Sequence, residues 1–491
     1  MIQTDNQKER HTLPRWNSLE IAEKLGELDS GKVTSGVATA PLKFELNDLL
    51  DEWRIGKNLP LAIEIISAAK FSDASNDISE IVEYARKASE GLGEATPLLK
   101  ELLFEENTKK SYRADAHQVC IERIKKSLIE YPRNPLLWSE LSREYTILGQ
   151  EKKSKKAIHV AHGLAPENRT VLRSIAKFYE HTGDLDQALF YLRKSARIKE
   201  DPWLLSSEIA LSNTIGRSSK NIKRAQQIVL DESYHPLALS ELASELGTMD
   251  FTAGNNKQGK RRLALAARQP HENAVAQMTW INKNACNVET ILERIHSPEC
   301  NFEAETRWFF DKQDWNKALA VAGLWQEYQP FSKEPAMVSS FIATDFLMDY
   351  QKAQETLVCG LKSNPNDYDL LNNYAYVLAL ENRLEEASEV LERAGKIASA
   401  ADYIPLIATG GLLCYRSDDI EQGRLLYLKA IEAARRENNQ DLFYRATLCM
   451  AREEKRCGFP IAEIMKTIGD PKYDGLKKQY ETIIKNFGLA Q

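Results

Sequence analysis

The sequence predicts an all-α protein, an α-solenoid in which helix pairs stack side by side. Three observations lead to this prediction. Prolines recur every 34 to 36 residues, short amphipathic helix pairs carry small residues at fixed places, and no run alternates polar and apolar residues as a strand does. A short helix pair cannot bury its apolar face alone, so it has to stack on a neighbour. The recurring prolines are Pro132, Pro166, Pro202, Pro236 and Pro270.

Aligned on these prolines, the chain divides into units of 34 residues. The unit from residue 135 has Trp138, Leu141, Ser142, Tyr145, Gly149, Ala161 and Pro166, and the unit from residue 169 has Leu172, Ala176, Tyr179, Gly183 and Ala188. Leu141 and Tyr145 share one helix face, the small residues let two helices approach closely, and the glycine closes the first helix in a left-handed turn. This pattern resembles the tetratricopeptide repeat, a helix–turn–helix unit of 34 residues.

The resemblance sets the predicted organisation of the chain. In chain order we expect a mostly disordered segment at 1–40, a helical region at 41–100, a first repeat array at 101–270, an irregular junction at 271–298, a second array at 299–437 and capping helices at 438–491. The stretch NNYAYVLALENRLEEASEVLERA shows the pattern well, with Ala375, Ala387 and Ala394 at the small positions. Such repeats are expected to form a right-handed superhelix.

Members of the tetratricopeptide repeat family bind a peptide or a partner's helix in a concave groove lined by the first helix of each pair. In the first array, the resemblance implies that the groove residues are Ser139, Arg143, Arg173 and Lys177. In the second array, it implies Val338, Ile342, Asn372 and Tyr376. The first set predicts a basic surface suited to a carboxylate or an acidic segment. The second set predicts a more apolar surface suited to a helix or an extended peptide.

Charge is distributed unevenly along the chain. The net charge is −6, but residues 109–268 hold 28 Lys and Arg against 18 Asp and Glu, a net of +10 that leaves −16 elsewhere. Such asymmetry can mark a face for acidic partners, but a solvated helical surface with a local charge bias is the more common cause. The stretch NKQGKRR concentrates Lys257, Lys260, Arg261 and Arg262. RNA is therefore the alternative partner, although the repeats lack the paired specificity positions of one-base-per-repeat readers.

The sequence shows no convincing catalytic, cofactor or metal motif. GELDSGKV at 26–33 has the spacing of a phosphate-binding loop, but Val33 stands where Ser or Thr would hold magnesium. The residues before it also predict a helix, whereas such a loop follows a strand. His159 and His162 lie three apart on one predicted helix without an obvious third ligand. We therefore expect no enzyme activity, no cofactor and no metal site.

Together these features predict a non-catalytic adaptor or scaffold that docks a protein partner, for example as a regulatory subunit of an enzyme encoded elsewhere. No apolar run approaches the ~18–20 residues of a membrane-spanning helix. The start, MIQTDNQKERHTLPRW, lacks the apolar core of a signal peptide, and the seven scattered cysteines include no CxxC pair. We therefore expect a cytoplasmic protein. Self-association through the irregular junction or the C-terminal helices stays open.

Overall fold

The protein is described here by a computed structural model. The residues that it describes are 10–28, 46–57, 61–62, 65–66, 78–90, 112–231, 234–293, 295, 301–398, 403–468 and 474–489. Within these residues every regular element is helical, and consecutive helices pack against each other in pairs. The predicted all-α solenoid class is therefore confirmed. None of the described helices is both long enough and apolar enough to cross a lipid bilayer.

The chain forms two compact units. One comprises Pro14–Leu204, and the other comprises Met1–Leu13 together with Leu205–Gln491; they are called the 14–204 unit and the 205–491 unit below. The sequence predicted an irregular junction at 271–298, but the division falls at Leu204. No division falls within 271–298, because Glu272–Asn284 forms a regular helix that packs on the first helices of the pairs before and after it.

In its described residues the 14–204 unit is helical, with a short 3-10 helix at Ala196–Lys199. The helices are α1 (Leu19–Lys24), α2 (Leu46–Ile55), α3 (Ser79–Glu90), α4 (Tyr112–Glu130), α5 (Pro135–Ile147), α6 (Glu151–Leu164), α7 (Arg169–His181) and α8 (Leu185–Lys194). Helix α5 packs on α6 and on α7, and α7 packs on α8, which is the arrangement of stacked pairs. The division between the units lies inside the next helix, α9 (Pro202–Thr214).

The 205–491 unit continues the pairs. Its helices are α10 (Ile222–Val229), α11 (Pro236–Thr252), α12 (Asn256–Ala266), α13 (Glu272–Asn284), α14 (Glu289–Leu292), α15 (Phe302–Asp311), α16 (Trp315–Tyr328), α17 (Glu334–Phe341), α18 (Tyr350–Ser363), α19 (Tyr368–Leu380), α20 (Leu384–Ile397), α21 (Ile404–Arg416), α22 (Ile420–Arg436), α23 (Gln440–Arg456), α24 (Ala462–Ile468) and α25 (Asp474–Asn486). A π-helical turn at Ile342–Phe346 extends α17. First helices also pack on one another, as α11 does on α13 and α13 on α15.

Residues 10–28 differ from the predicted disorder at 1–40. Residues 10–18 form no regular secondary structure, and the N–H of Leu13 donates to the carbonyl of His11 at 2.8 Å in a tight turn. Helix α1 follows with Ser18 as its N-cap, the Ser18 hydroxyl accepting a hydrogen bond from the backbone N–H of Ile21. Leu19 and Ala22 of α1 are buried. Gly26, with a φ of +71°, ends the helix that the sequence predicted before the loop-like motif. Residues 1–9 and 29–40 lie outside the described part of the chain.

A left-handed residue closes the first helix of many pairs. Gly149 and Gly183 take this conformation in the 14–204 unit, as their sequence positions predicted. In the 205–491 unit the equivalent turns use Gln313, Met348 and Asn382, with φ values of +60°, +55° and +61°. Side chains other than glycine are strained in this region. The turn geometry is therefore kept even where the sequence does not offer a glycine.

Replacing Gly183 with alanine is expected to lower the free energy of unfolding by about 1 kcal/mol. An added methyl group would contact nothing within 4 Å, so the cost comes from the backbone at φ +80° alone. The matched control is Gly163→Ala in α6, which is equally open but has no left-handed φ and should stabilise slightly. Chemical denaturation of both variants measures the difference, and two equal midpoints would contradict the expectation.

Small residues mark the places where paired helices cross, as the sequence predicted. Ala375, Ala387 and Ala394 are completely buried. The crossing of α21 and α22 is tighter still, because two glycines face the partner helix there. A methyl group on Gly423 would lie 2.6 Å from Cδ2 of Tyr415, and one on Gly411 would lie 2.9 Å from Cδ2 of Tyr427. Neither position has room for a side chain.

A buried carboxylate with three arginines joins α21 to α23. Glu453 is fully buried and accepts hydrogen bonds from Nε and Nη2 of Arg416 at 2.8 and 3.2 Å, from Nε of Arg452 at 2.7 Å and from Nε of Arg456 at 3.0 Å. Burial by itself would raise the pKa of Glu453, but Arg452 and Arg416 outweigh it and hold that pKa below its usual value. The carboxylate therefore stays ionised inside the fold.

Candidate partner-binding groove

Three first helices of the 205–491 unit bring polar side chains to one place. Glu245 comes from α11, Asn273 and Gln277 from α13, and Glu303 from α15. Asn273 and Gln277 are four residues apart and so lie on one face of α13. All four side chains are buried. This set of four residues is called the acidic groove.

A stretch of the same unit without regular secondary structure lies in the acidic groove. Residues 10–13, called the groove segment, are held there by hydrogen bonds from groove side chains to their backbone. The N–H of Thr12 donates to Oε2 of Glu245 at 2.8 Å. The amide of Asn273 donates to the carbonyl of Leu13 at 2.7 Å, and the amide of Gln277 donates to the carbonyl of Arg10 at 2.6 Å. Contacts of this kind recognise an extended backbone whatever its side chains.

The side chain of Arg10 adds contacts that depend on its identity. Its Nε and Nη2 donate to the two carboxylate oxygens of Glu303 at 3.2 and 3.1 Å, which is a bidentate ion pair. Its Nη1 donates to Oε1 of Gln277 at 2.6 Å, and its Nη2 also reaches Oδ1 of Asn273 at 3.0 Å. The planar guanidinium thus meets three groove side chains at once, which a lysine ammonium does not match in geometry.

His11 completes the contacts of the groove segment. Its Nδ1 lies 3.0 Å from Oε1 of Glu245, and because a carboxylate only accepts, Nδ1 carries the hydrogen. Asn213 donates to the same oxygen at 2.9 Å. Burial alone would raise the pKa of Glu245, but His11, the Thr12 N–H and Asn213 outweigh it, so that pKa lies below its usual value. The groove therefore presents an ionised carboxylate to the segment.

The residues predicted for the first array lie in the 14–204 unit and bond to other parts of that unit. Arg143 is 5% exposed, and its Nε donates to the carbonyl of Trp16 at 3.0 Å while its Nη1 donates to Glu144 at 2.9 Å. Arg173 is 4% exposed and stacks over the ring of Trp203 at 4.9 Å. These two guanidinium groups are thus not exposed on an open basic surface. That they bind a partner stays a prediction.

The remaining residues of the first set are also engaged. Ser139 is 1% exposed, and Lys177 pairs with Glu180 at 2.5 Å. Repeat position correctly placed these residues on the first helices, α5 and α7. Repeat position gave no information on residues 14–28, which contact α5. The Trp16 carbonyl accepts a hydrogen bond from Arg143, and the Leu19 N–H donates to Glu140 at 3.1 Å. Burial raises the pKa of this Glu140 to about 7.

The residues predicted for the second array are mostly covered as well. Ile342, in the π-helical turn, is fully buried, and Asn372 is 1% exposed. The hydroxyl of Tyr376 accepts a hydrogen bond from Nη1 of Arg452 at 3.0 Å, so α23 reaches across to α19. Val338 is half-buried. The open apolar surface expected at these four positions is therefore not what the structure shows, and their part in binding stays a prediction.

The basic stretch at 256–262 forms helix α12. Lys257, Lys260 and Arg261 are exposed on it. Arg262 is not equivalent to them, because it pairs with Asp250 at 2.7 Å and donates to the carbonyl of Leu246 at 3.1 Å. Three of the four predicted nucleic-acid contacts are thus available to a ligand, and the fourth holds α12 against α11.

The two histidines weighed as metal ligands lie in an aromatic cluster of the 14–204 unit. Nε2 of His159 lies 2.8 Å from the hydroxyl of Tyr179, and His162 contacts the ring of Tyr191 edge-on at 4.8 Å. Both histidines therefore contact aromatic side chains of the helix pair. Of the loop-like motif, Gly31 and Lys32 lie outside the described residues, so the structure adds nothing on that point.

The residues of the acidic groove were not predicted from the sequence. The available signal was the presence of polar residues four apart, as Asn273 and Gln277 are, on a helix whose other buried positions, apart from Glu272, are apolar. The partner segment gave no signal, because residues 10–13 have no repeat pattern and no helical period. Only the fold shows that residues 10 and 303 meet.

Comparisons with known proteins find likeness in structure only. No family model matches the chain, and no curated protein matches it. The chain is similar to the crystal structure of yeast Tom70 at 16% identity and a TM-score of 0.32, over 77% of this chain and 93% of Tom70. It is similar to the human IFIT1 dimer with PPP-AAAA at 14% identity and a TM-score of 0.37, over 75% of this chain and 94% of that one. Likeness at this level does not say what this chain binds.

Proposed function

We propose that this chain is a non-catalytic helical-repeat adaptor that binds an extended segment of a protein partner in the acidic groove. One observation supports the proposal above all: side chains of α11 and α13 bond to the backbone of residues 10–13, a segment that forms no helix. Glu245, Asn273 and Gln277 supply one acceptor and two donors at the spacing of such a chain. This is a general means of recognising peptides, and no substrate chemistry is needed to account for it.

The charge of the groove favours a protein partner over RNA. Besides Glu245 and Glu303, the same helices carry the buried carboxylates Glu241 and Glu272. Carboxylates attract cationic side chains and repel phosphates. Binding of RNA would depend instead on Lys257 and its exposed neighbours, which lie on α12 and not on α11, α13 or α15.

The proposal predicts that the Asn273→Ala, Gln277→Ala double variant loses its partner. The tagged chain is expressed in its native host, the recovered material is treated with nuclease, and the copurifying protein is identified and titrated. Loss of two hydrogen bonds to the partner's backbone should weaken its binding roughly 10- to 30-fold. The double variant also weakens the hold on residues 10–13, so competition by that segment cannot explain a loss of partner.

Asn284→Ala is the matched control for this experiment. Asn284 is an exposed residue at the end of α13, and its side chain bonds to the carbonyl of Trp280. It should leave partner binding unchanged. If both variants kept the partner equally, the groove would not be the binding site. If the recovered material disappeared on nuclease treatment, the RNA alternative would replace the proposal.

A further inference from the structure

We infer that the acidic groove selects an extended segment carrying arginine, and that residues 10–13 are an intramolecular stand-in which such a partner segment displaces. The inference rests on the proposed function and adds to it the chemistry of the partner and the means by which access is controlled. It is carried by the contacts of the groove segment, considered in three steps.

The first step concerns the Glu303 pocket. Glu303 is 7% exposed and receives hydrogen bonds from Arg10 and, at 3.2 Å, from Arg307 of its own helix. A carboxylate this buried is costly to leave without its cation. Arg307 keeps one charged hydrogen bond to Glu303 when the groove segment leaves, so an occupant that brings a second positive group to this point restores the pairing that Arg10 provides. Bidentate geometry at Glu303, with Gln277 and Asn273 beside it, selects arginine over lysine.

The second step concerns the register of the occupant. Glu245 accepts the N–H of the residue two positions after the arginine, and Asn273 donates to the carbonyl one position later. Gln277 fixes the carbonyl of the arginine itself. The groove therefore selects an arginine followed by a backbone in the conformation of residues 10–13, with a residue other than proline two positions on, because proline lacks the N–H that Glu245 needs.

The third step concerns exchange. The groove segment, Arg10 to Leu13, forms no helix, and its buried groups, Thr12 and the imidazole of His11, are held by polar contacts to Glu245. The groove side chains lie on helices, so they can form the same hydrogen bonds with a partner segment that replaces residues 10–13 while the helices stay folded. A segment of the same chain acts at an effective concentration of roughly millimolar, so a free peptide competes at a disadvantage. Only a ligand with an affinity high enough to overcome this effective concentration therefore displaces the groove segment.

The test uses the full chain and a labelled peptide with the sequence of residues 10–15, RHTLPR, followed by fluorescence anisotropy. The double variant Arg10→Glu, Thr12→Pro should release the groove segment, because it places a carboxylate against Glu303 and removes the N–H that bonds to Glu245. We expect this variant to bind the peptide at least ~10-fold more tightly than the unaltered chain does. Lys24→Glu, which reverses an exposed cation on α1, is the matched control and should behave as the unaltered chain.

The arginine requirement is tested with altered peptides on the released variant. A peptide with lysine in place of its first arginine, the one that corresponds to Arg10, should bind about tenfold more weakly. A peptide with glutamate at that position should not bind. Adding Glu303→Arg to the released variant should reverse this preference, so that the glutamate peptide binds better than the arginine peptide. Equal binding of the arginine and glutamate peptides to the released variant would overturn the inference.

A second measurement does not depend on any variant. In the unaltered chain the Thr12 amide should be protected from hydrogen exchange, and excess arginine peptide should remove that protection. Persistent protection at saturating peptide would overturn the displacement. If the peptide shows no arginine preference while the native partner still depends on Asn273 and Gln277, the inference fails and the proposed function stands. If the native partner ignores those two residues, the proposed function fails as well.

Discussion

Replacing Glu453 with glutamine is expected to lower the free energy of unfolding of the 205–491 unit by about 3 kcal/mol. Glutamine keeps the shape of the side chain but removes the charge that pairs Arg416, Arg452 and Arg456. Two of these guanidinium groups, those of Arg416 and Arg452, belong to largely buried side chains, 12% and 10% exposed. They would be left in the fold without a counter-ion. Urea denaturation followed by tryptophan fluorescence measures the loss.

The effect of Glu453→Gln should also depend on pH. Because the pKa of Glu453 is lowered in the folded state, its contribution to stability is complete above the ordinary value of 4.5 and is lost as the pH falls through the lowered pKa. The difference in the free energy of unfolding between the unaltered chain and the Glu453→Gln variant should therefore become smaller at acid pH. Glu463→Gln is the control, since its ion pair with Lys466 is exposed and should contribute nothing measurable. A constant gap down to acid pH would contradict the assignment.

Gly423→Ala is expected to cost about 2–3 kcal/mol, although it adds a single methyl group. That methyl would lie 2.6 Å from Cδ2 and 3.0 Å from the backbone N of Tyr415. The ring of Tyr415 is fully buried and its hydroxyl donates to Glu454, so neither the ring nor the backbone of α21 moves aside cheaply. Denaturation midpoints of the variant and the unaltered chain measure the cost.

Gly410→Ala is the matched control for Gly423→Ala. Gly410 lies on α21, next to the crossing, but a methyl group there would have its nearest neighbour, Cδ1 of Leu426, at an ordinary 3.6 Å. It should be neutral or slightly stabilising, because alanine is the better helix former. Equal losses for the two variants would mean that α21 tolerates no alanine at all, and the argument from close approach would be wrong.

The repeat pattern predicted the helix pairs because its causes are local. Leu141 and Tyr145 share a face, Gly183 closes a turn and Ala387 permits a crossing within stretches of about 34 residues, so each leaves a trace at fixed spacing. The contact that buries Arg143 gives no periodic signal in the sequence, because Trp16, whose carbonyl accepts its hydrogen bond, lies 127 residues away. Sequence position therefore predicted which helix face carries Arg143 but not what lies on that face.

The same reason explains why the acidic groove and its occupant were not predicted. Residues 10–16 lack a helical period, and the contacts that hold residues 10–13 come from side chains more than a hundred residues away. The helix that provides Glu245 falls in the predicted first array, and the helix that provides Gln277 falls in the predicted irregular junction. A polar pair on a buried helix face was the one local sign that something polar had to lie against it.

The contact between Arg10 and Glu303 also sets an order of events during synthesis. The two residues are 293 positions apart, so Arg10 leaves the ribosome long before the helix that receives it exists. At roughly 5–20 residues per second, the delay is about 15 to 60 seconds. During that interval Arg10 cannot pair with Glu303, because helix α15 has not been synthesised. Helices α11 and α13 are complete before α15 is. Chaperones and early-binding partners therefore meet a form of this protein that the finished chain no longer presents.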